Sequence, residues 1–425
     1  MSANSVTSLM MAAVLATIGG LWDHGAAHAE TLPEPPPLDE QRTLDGVGYP
    51  VPEPHSHSGY TALTASDDGW VYLGTAYYSS HVLRDGRLGD GARLLRFNVE
   101  SKQWETLIDA HHLSRYPYKR GLNVQGKFHA EIVIGDDGVV WAATKHGHED
   151  FDNRPEYGES PVGFPGGHLY SFNPHTGEVT DHGILMPQEG MMGGDIDSER
   201  RRVYYWSDPK EHFLAYDIDA NEVHDFGSLS ARPRYTAIDP QGRVFGATRG
   251  DRHGHIYMFE PEDERVYDLR IILEGPGEWS PPYVFILSAD GQKIFGARHP
   301  QGYISELDLT SIEMRDDLED AHGTIVARHT ARAYPGNKRS GVLGADGNFY
   351  FANHGHVFRY DPGTREVEDL GQVTLTNHPE WRPYHSQGAA AAPDGTLYLK
   401  YLPQGGQGMP YILVELEGVA APVDE

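Results

Sequence analysis

One pattern recurs seven times along this chain: a short apolar run, a turn built on Asp-Gly or an equivalent, and a strand rich in aromatic residues. The turns and the strands that follow them read DDGWVYLGT (67–75), DDGVVWAAT (136–144), SERRRVYYW (198–206), PQGRVFGAT (240–248), ADGQKIFGAR (289–298), ADGNFYFAN (345–353) and PDGTLYLKY (393–401). A repeat of this size that contains only strands is typical of a propeller. We therefore predict an all-β fold, a seven-bladed β-propeller.

The two ends of the repeat array complement each other. The last repeat ends with YILVELEG (411–418) and lacks an outermost strand, whereas TLDGVGYPV (43–51) precedes the first repeat with no strand of its own to pair with. Pairing these segments would remove two exposed sheet edges. We expect the ring to be closed by an N-terminal strand, and the inserts 108–127, 145–166 and 372–385 to be loops.

The sequence before the repeats has the features of an export signal. Leu9–Leu21 is apolar but too short to span a bilayer, and Ala27-His28-Ala29 has the A-x-A form of a cleavage site. The prediction is a signal peptide over 1–29, a linker over 30–42 and a single propeller domain over 43–425. The mature protein is then secreted or periplasmic. The alternative for 1–29 is a disordered N-terminus that is retained.

Charge and cysteine content narrow the possible partners. The formal net charge is −28, which argues against nucleic acid and against anionic membrane surfaces. The chain has no cysteine, so neither a disulfide framework nor thiolate chemistry is available. We expect a monomer with no organic cofactor.

Histidines concentrate where one mouth of the propeller should be. In each repeat the start of the inner strand, A, and the end of the next strand, B, lie at the same end of the sheet. Twelve histidines fall at these positions: His55, His57, His81, His129, His146, His148, His212, His253, His299, His354, His356 and His385. A basic, aromatic, concave surface on an acidic protein suits an anionic small molecule or glycan. The alternative is a mouth that is polar only because loops are polar.

Two histidine groups stand out within this set. His129 opens strand A of the second repeat and the K-H-G-H of 145–148 ends its strand B, so two imidazoles could face each other and move protons. The H-G-H of 354–356 puts both imidazoles on one face if the segment is extended, as a metal site needs. His299 and His385 are candidate further ligands of a divalent zinc or manganese ion. Buried structural histidines, or a solvated pair, are the alternatives.

Acidic pairs suited to glycoside hydrolysis are hard to find at this mouth. Asp195, Asp208 and Asp251 are the nearby acids, and two of them adjoin a basic residue. A two-carboxylate glycosidase is therefore disfavoured. The residue types present suit β-elimination, in which a base removes the proton α to a uronate carboxylate, a cation neutralises that carboxylate and an acid protonates the departing oxygen.

The signal peptide, the seven repeats and the HAEI…TKHGH stretch resemble propeller-type polysaccharide lyases, the ulvan lyases first and the oligogalacturonate lyases more distantly. The resemblance implies that His129 and either His146 or His148 transfer protons. It also implies that Arg249 or Arg234 neutralises the uronate and that Tyr235 assists. The expected substrate is a uronate-containing anionic polysaccharide or oligosaccharide. We assign substrate binding to five residues of the mouth: Arg234, Lys145, Tyr283, Arg298 and Arg339.

Two other functions stay open at this point. The chain could be a non-catalytic propeller that binds a glycan or a protein, because one fold hosts many functions. It could also be a hydrolase that removes a sugar linked to a uronate, which is an activity found among related propellers. A proton-transfer pair beside an arginine would favour the enzyme.

Overall fold

The computed structural model describes residues 32, 34–35, 37–39, 41–52, 57–76, 91–113, 125–146, 164–229, 233–247, 255–275, 279, 281–297, 302–315, 322–334, 340–404 and 411–422. Within these ranges the secondary structure is almost entirely β, as predicted. The one described helix, α1, is the single turn Ala110–Leu113. In the described part of the chain no helix has the length and apolar character needed to span a membrane.

Short strands follow one another along the whole described chain. The first half forms β1 (Thr43–Pro50), β2 (His57–Ala65), β3 (Trp70–Ala76), β4 (Arg93–Asn98), β5 (Gln103–Asp109), β6 (Gln125–Phe128), β7 (Val133–Ile134), β8 (Val140–His146), β9 (His168–Asn173), β10 (Glu178–Ile184), β11 (Gly190–Asp197), β12 (Arg202–Asp208), β13 (His212–Asp217) and β14 (Glu222–Ser228). The second half forms β15 (Thr236–Ile238), β16 (Val244–Ala247), β17 (Ile256–Glu260), β18 (Arg265–Glu274), β19 (Val284–Leu287), β20 (Lys293–Ala297), β21 (Tyr303–Met314), β22 (Gly323–Arg332), β23 (Gly341–Leu343), β24 (Phe349–Asn353), β25 (His356–Asp361), β26 (Glu366–Leu375), β27 (Pro383–Ala391), β28 (Leu397–Pro403) and β29 (Ile412–Leu416).

Every predicted A–B turn joins an antiparallel hairpin. The pairs are β2–β3, β7–β8, β11–β12, β15–β16, β19–β20, β23–β24 and β27–β28. Gly69 adopts a φ of 82° in the first of these turns, which a residue with a Cβ rarely accepts. The third turn has no glycine, and Arg201 takes the left-handed conformation there with a φ of 52°.

The third repeat forms the simplest sheet, the antiparallel order β11-β12-β13-β14. Elsewhere neighbouring repeats share sheets through their outer strands. Strand β18 pairs in parallel with β22, and β1 pairs in parallel with β26. At its other end β1 pairs antiparallel with β29, the last strand of the chain. The segment over 43–50 is therefore built into the sheet of the final repeat.

The second repeat departs from the expected pattern. His129 was expected to open strand A, but the inner strand is interrupted there. Strand β6 pairs with both β3 and β8 and ends at Phe128. The inner hairpin resumes only with β7 at Val133. His129 lies in the gap between them. This break lets the imidazole leave the regular alternation of a strand.

The inner strands surround a common cavity of about 400 Å³. Each of β2, β7, β11, β15, β19, β23 and β27 contributes lining residues. Successive inner strands from β7 to β27 contact each other, β27 contacts β2, and β2 contacts β6 of the second repeat. Apolar and aromatic side chains fill the space between neighbouring sheets, for example Trp206, Phe213 and Phe259. Burying each such side chain contributes roughly 1.5–3 kcal/mol.

Candidate functional site

In each hairpin, strand A begins at the same end of the sheet at which strand B ends. Six charged or titratable side chains meet at this end. They come from three repeats, and we call them the basic cluster: Lys127, His129, Lys145, His146, Asp208 and Arg234. Three permanent cations face one carboxylate in this group. The local sign is thus opposite to that of the protein as a whole, whose formal net charge is −28.

His129 lies at the centre of the basic cluster and is 2% exposed. Nη1 of Arg234 lies 3.3 Å from Nε2 of His129. Because a guanidinium can only donate, Nε2 must accept, and the imidazole is then neutral with its proton on Nδ1. Burial lowers the pKa of His129 well below its usual value, and Arg234, Lys145 and Lys127 lower it further. His129 is therefore a base with an available lone pair, turned toward a cation.

Lys145 and His146 both converge on Asp208. Lys145 forms a buried salt bridge with this carboxylate, and Nε2 of His146 lies 3.5 Å from its Oδ2. Burial opposes ionisation of Asp208, but Lys145 and His146 outweigh it and hold its pKa below the usual range. Burial lowers the pKa of His146. Asp208 thus holds the end of β8 against the end of β12.

Arg234 is held from a second side by an aromatic ring. Its Cζ lies 5.0 Å from the centroid of the Tyr283 ring, a cation–π distance. A guanidinium between an imidazole and a phenol ring is limited in the directions it can take. Two of its neighbours, His129 and Tyr283, come from different repeats, so the folded ring is needed to assemble the site.

Five of the residues named from the sequence are brought together in this way. His129, His146, Lys145, Arg234 and Tyr283 occupy the basic cluster and its edge. Their grouping follows from the contacts described above. His148, Arg249, Arg298, Arg339 and His299 lie outside the described residues, so their predicted roles stay predictions.

Tyr235 lies beside the basic cluster, where the charge of Arg234 acts on it. Its side chain is 5% exposed and lines the central cavity beside Glu131, and the main-chain N–H of Gly341 hydrogen-bonds it. Burial raises the pKa of Tyr235 well above its usual value, and the Glu131 carboxylate adds to this. The expectation that Tyr235 assists the arginine stays a prediction.

The extended conformation expected for H-G-H at 354–356 is wrong. His354 and Gly355 form the tight turn between β24 and β25, with φ values of 50° and 83°. Nδ1 of His354 lies 3.2 Å from the hydroxyl of Tyr384, whereas Nδ1 of His356 lies 3.0 Å from the buried carboxylate of Asp369. The two imidazoles therefore have different partners. His385 packs its ring against Tyr384.

Searching the described residues finds no group of three or more His, Cys, Asp or Glu side chains able to hold a metal ion. His299 is outside those residues, so the full predicted ligand set of His299, His354, His356 and His385 is untested. The zinc or manganese site that the sequence suggested stays a prediction, without the extended H-G-H geometry on which it was based.

Two acids were missed or undervalued by the sequence analysis. The expected mouth held no glutamate, yet Glu189 is fully buried just before β11 and accepts hydrogen bonds from Ser207 Oγ and the Lys210 N–H. Asp208 was set aside because a basic residue lies near it in sequence. In space it pairs with two basic residues of another strand, Lys145 and His146. Its place at the very end of strand B was the available signal.

No protein-family model matches the sequence, and no curated protein is similar enough in sequence to count as a relative. Three solved structures resemble the whole molecule. Catalytically inactive virginiamycin B lyase from Staphylococcus aureus with quinupristin has a TM-score of 0.55 and 10% identity, over 87% of this chain and 98% of that one. The WD40 repeats of RRP9 give 0.53 and 10%, over 84% and 94%. The beta-propeller domain of Cps50 (Swd1) from Myceliophteria thermophila gives 0.51 and 9%, over 87% and 98%.

The chain has a β-propeller fold. The prediction of an all-β propeller is thereby confirmed. Identities near 10% carry the fold and nothing finer. None of the three solved structures named here is an ulvan lyase or an oligogalacturonate lyase, so the family resemblance is carried only by the residues of this chain.

Proposed function

We propose that this protein is an exported lyase that cleaves a uronate-containing anionic polysaccharide by β-elimination at the basic cluster. The observation that carries the proposal is a neutral, buried His129 whose Nε2 faces the Arg234 guanidinium at 3.3 Å. Proton removal α to a carboxylate needs a base and a carboxylate-binding cation side by side, and this pair offers both.

In the proposed reaction, the substrate carboxylate replaces His129 as the partner of Arg234. The freed Nε2 of His129 takes the proton from the carbon α to that carboxylate, and the electron pair forms a carbon–carbon double bond. The bond from the β-carbon to the glycosidic oxygen breaks, and that oxygen receives a proton from the Lys145 ammonium. The guanidinium stabilises the negative charge that grows on the carboxylate.

The fold is compatible with lyase chemistry, since a virginiamycin B lyase is among the structures that the chain resembles. The basic cluster is also unsuited to hydrolysis by paired acids, because its one carboxylate is occupied by Lys145 and His146. These two observations favour elimination over the alternative in which a uronate-linked sugar is removed by hydrolysis.

The test is incubation with ulvan, pectic, gum-arabic and alginate substrates, followed by ultraviolet absorbance of the unsaturated uronate product. At least one substrate should give that absorbance, and His129→Ala should slow it by about 10²-fold or more. His175→Ala, an exposed histidine in the β9–β10 turn, is the matched control and should keep the wild-type rate. No new absorbance and no new reducing ends on any substrate would refute the lyase.

A non-catalytic glycan-binding propeller is the competing function, favoured by one observation. Lys145 and His146 are buried and held by Asp208, a rigid arrangement that a binding site also needs. Binding of an anionic glycan that weakens in Arg234→Ala, with no product from any substrate, would establish this function instead.

We further propose that the propeller has seven blades closed by β1 and that the mature protein is an exported monomer. Seven inner strands lining one cavity, with β27 against β2 and β1 paired to β29, support the closed ring. The A-x-A site at Ala27–Ala29 supports export. Protein sequencing of the secreted form and its sedimentation mass test these two statements.

A zinc or manganese ion bound through His299, His354, His356 and His385 stays a prediction on which no step above depends. Elemental analysis of protein purified without a histidine tag tests it. Metal-free protein with full activity and an unchanged melting temperature would remove it.

A further inference from the structure

The central cavity contains two carboxylates that the proposed reaction does not use. Glu131, which precedes β7, and Asp195 on β11 both line this cavity of about 400 Å³. It lies farther along the inner strands than the basic cluster, toward the A–B turns. The charge of Asp195 acts on the Glu131 carboxylate, so the two acids lie close together.

Main-chain N–H groups fix both carboxylates. Oε2 of Glu131 accepts the N–H of Thr236 at 2.9 Å and that of Gly194 at 3.4 Å. Oδ1 of Asp195 accepts the N–H of Ile196 at 2.9 Å, and the N–H of Ile238 also hydrogen-bonds this carboxylate. Two acids thus bridge β11 and β15, inner strands of successive repeats. No hydrogen bond to Oε1 of Glu131 is found among the described residues, and Glu131 lines the cavity.

Among the described residues, no salt bridge joins Glu131 or Asp195 to a lysine, arginine or histidine, whereas Asp208 at the other end of the same hairpin pairs with Lys145. Two acids held side by side without a counter-charge are costly when ionised.

Two buried hydroxyls beside the carboxylates also lack a partner among the described residues. Thr236 lines the cavity and is 6% exposed, and its Oγ1 makes no hydrogen bond there. Tyr205 is fully buried, its hydroxyl finds no partner there, and the charges of Glu131 and Asp195 act on it. Its ring covers Gly194, where a Cβ would lie 2.4 Å from the ring carbons. Buried polar atoms are nearly always satisfied, so the Thr236 hydroxyl, which belongs to the lining, points to an occupant of the cavity.

We propose that Glu131 and Asp195 hold a calcium ion in the central cavity. The polar groups of the lining offer oxygen, which is the donor that Ca²⁺ prefers, and apolar side chains make up much of the rest. The flexible coordination of Ca²⁺ by six to eight oxygens can include Thr236 Oγ1, main-chain carbonyls and water. The ion supplies the missing positive charge. It also joins the second, third and fourth repeats, immediately below the segment that carries His129 and the strand that follows Arg234.

Calcium binding is tested on the whole protein after treatment with EDTA. Titration calorimetry should give one Ca²⁺ per chain, and Ca²⁺ at about 100 times its dissociation constant should raise the melting temperature by about 5 °C. An unchanged melting temperature, or no heat of Ca²⁺ binding, would overturn the site.

Three variants locate the ion. Glu131→Gln and Asp195→Asn should each weaken Ca²⁺ binding by at least about 10-fold, and Thr236→Val, which removes only the hydroxyl, should weaken it several-fold. Asp136→Asn is the matched control, since this exposed acid lies in the A–B turn near the same end. Loss of binding in Asp136→Asn, or wild-type binding in Thr236→Val and Asp195→Asn together, would refute the assignment even if Glu131→Gln failed to fold.

Discussion

Arg234 affects both the charge and the orientation of its neighbours. It lies against His129 on one side and the Tyr283 ring on the other. The guanidinium lowers the pKa of His129, and in the proposed reaction it binds a carboxylate through two parallel hydrogen bonds. A lysine would keep the charge but lose the fork geometry.

Arg234→Lys should therefore lower kcat by about 10- to 100-fold on whichever uronate substrate is found. Stability should change by less than about 1 kcal/mol, because the charge is retained. Arg234→Met should in addition move the acid limb of the pH–rate profile to higher pH, because one of the causes that lower the pKa of His129, after burial, is removed. Arg359→Lys, in a half-exposed salt bridge on β25, is the control. Wild-type turnover in Arg234→Lys would show that another cation binds the carboxylate.

Lys400 is a second residue whose surroundings conflict with its charge. It is 1% exposed on β28, and its Nζ lies 3.5 Å from the carbonyl oxygen of Ala62. The same register position in five other repeats carries a small residue: Gly74, Ala143, Ala247, Ala297 and Ala352. Burial lowers the pKa of Lys400 from 10.5 to about 7.

This shift predicts a pH-dependent effect of Lys400→Met on stability. The unfolded chain binds a proton at Lys400 below pH 10.5 and the folded chain only below about pH 7, so wild-type stability from this group falls as pH drops from 10.5 to 7. Urea unfolding should show the variant more stable by several kcal/mol at pH 7, with a gap about 3 kcal/mol smaller at pH 9. Lys210→Met, an exposed lysine, should show no such change. A gap that is equal at both pH values would contradict the shift.

Single residues show where prediction from sequence stops. The strand ends located His129, Lys145, His146 and Arg234 together, because strand direction fixes which residues share a mouth. Tyr235 was expected at the mouth, and the sequence did not show that it also lines the central cavity. Glu131 was not noticed, because nothing in its sequence neighbourhood shows that it faces Asp195 across a cavity.

Ion pairs between neighbouring strands account for two of the histidines that the sequence analysis placed at the mouth, His212 and His356. In four repeats, a histidine at or just before the start of the third strand pairs with an aspartate on the fourth strand. The aspartate lies 13 residues after the histidine in each of these pairs. The pairs are His168–Asp181, His212–Asp225, His255–Asp268 and His356–Asp369, with atoms 2.8–3.1 Å apart. His212 and His356 therefore each join the third and fourth strands of a blade. The constant spacing was visible in the sequence and was the missed signal.

The strength of these pairs should follow their burial. The side chains of His356 and Asp369 are 5% and 6% exposed, whereas those of His212 and Asp225 are 20% and 43% exposed. His356→Ala leaves a buried carboxylate without its partner and should lower the free energy of unfolding by about 2–3 kcal/mol. His212→Ala should cost under about 1 kcal/mol. Urea unfolding compares the two, and a larger loss for His212→Ala would contradict a structural role for the buried pair.

At the scale of the whole molecule, the repeated sequence pattern was sufficient to predict the propeller. Seven turns at similar spacing define seven hairpins, and each hairpin needs a neighbour to cover its apolar face. The sequence could not show which outer strands join neighbouring repeats. The parallel pairings β18–β22 and β1–β26 depend on long strands meeting across repeats, and no local pattern marks them.

Strand β1 is where the two ends of the chain meet, and its removal tests closure of the ring. Val47–Pro50 pairs with β29 and Thr43–Gly46 with β26, so this strand covers two sheet edges. The Tyr49 ring packs 4.6 Å from that of Phe97, and its hydroxyl donates to Glu415 at 2.7 Å. Without β1 these edges and the apolar side chains beneath them face water.

A chain that starts at Val51 should lose about 5 kcal/mol or more of unfolding free energy and aggregate on concentration, since two unpaired edges invite pairing with other copies. The control starts at Asp39 and keeps the whole of β1 together with the bond from the Asp39 N–H to Asp369. It should unfold within about 1 kcal/mol of the full mature chain. Urea unfolding and sedimentation compare the two truncations. Equal stability of both, with both monomeric, would mean that the propeller closes without its N-terminal strand.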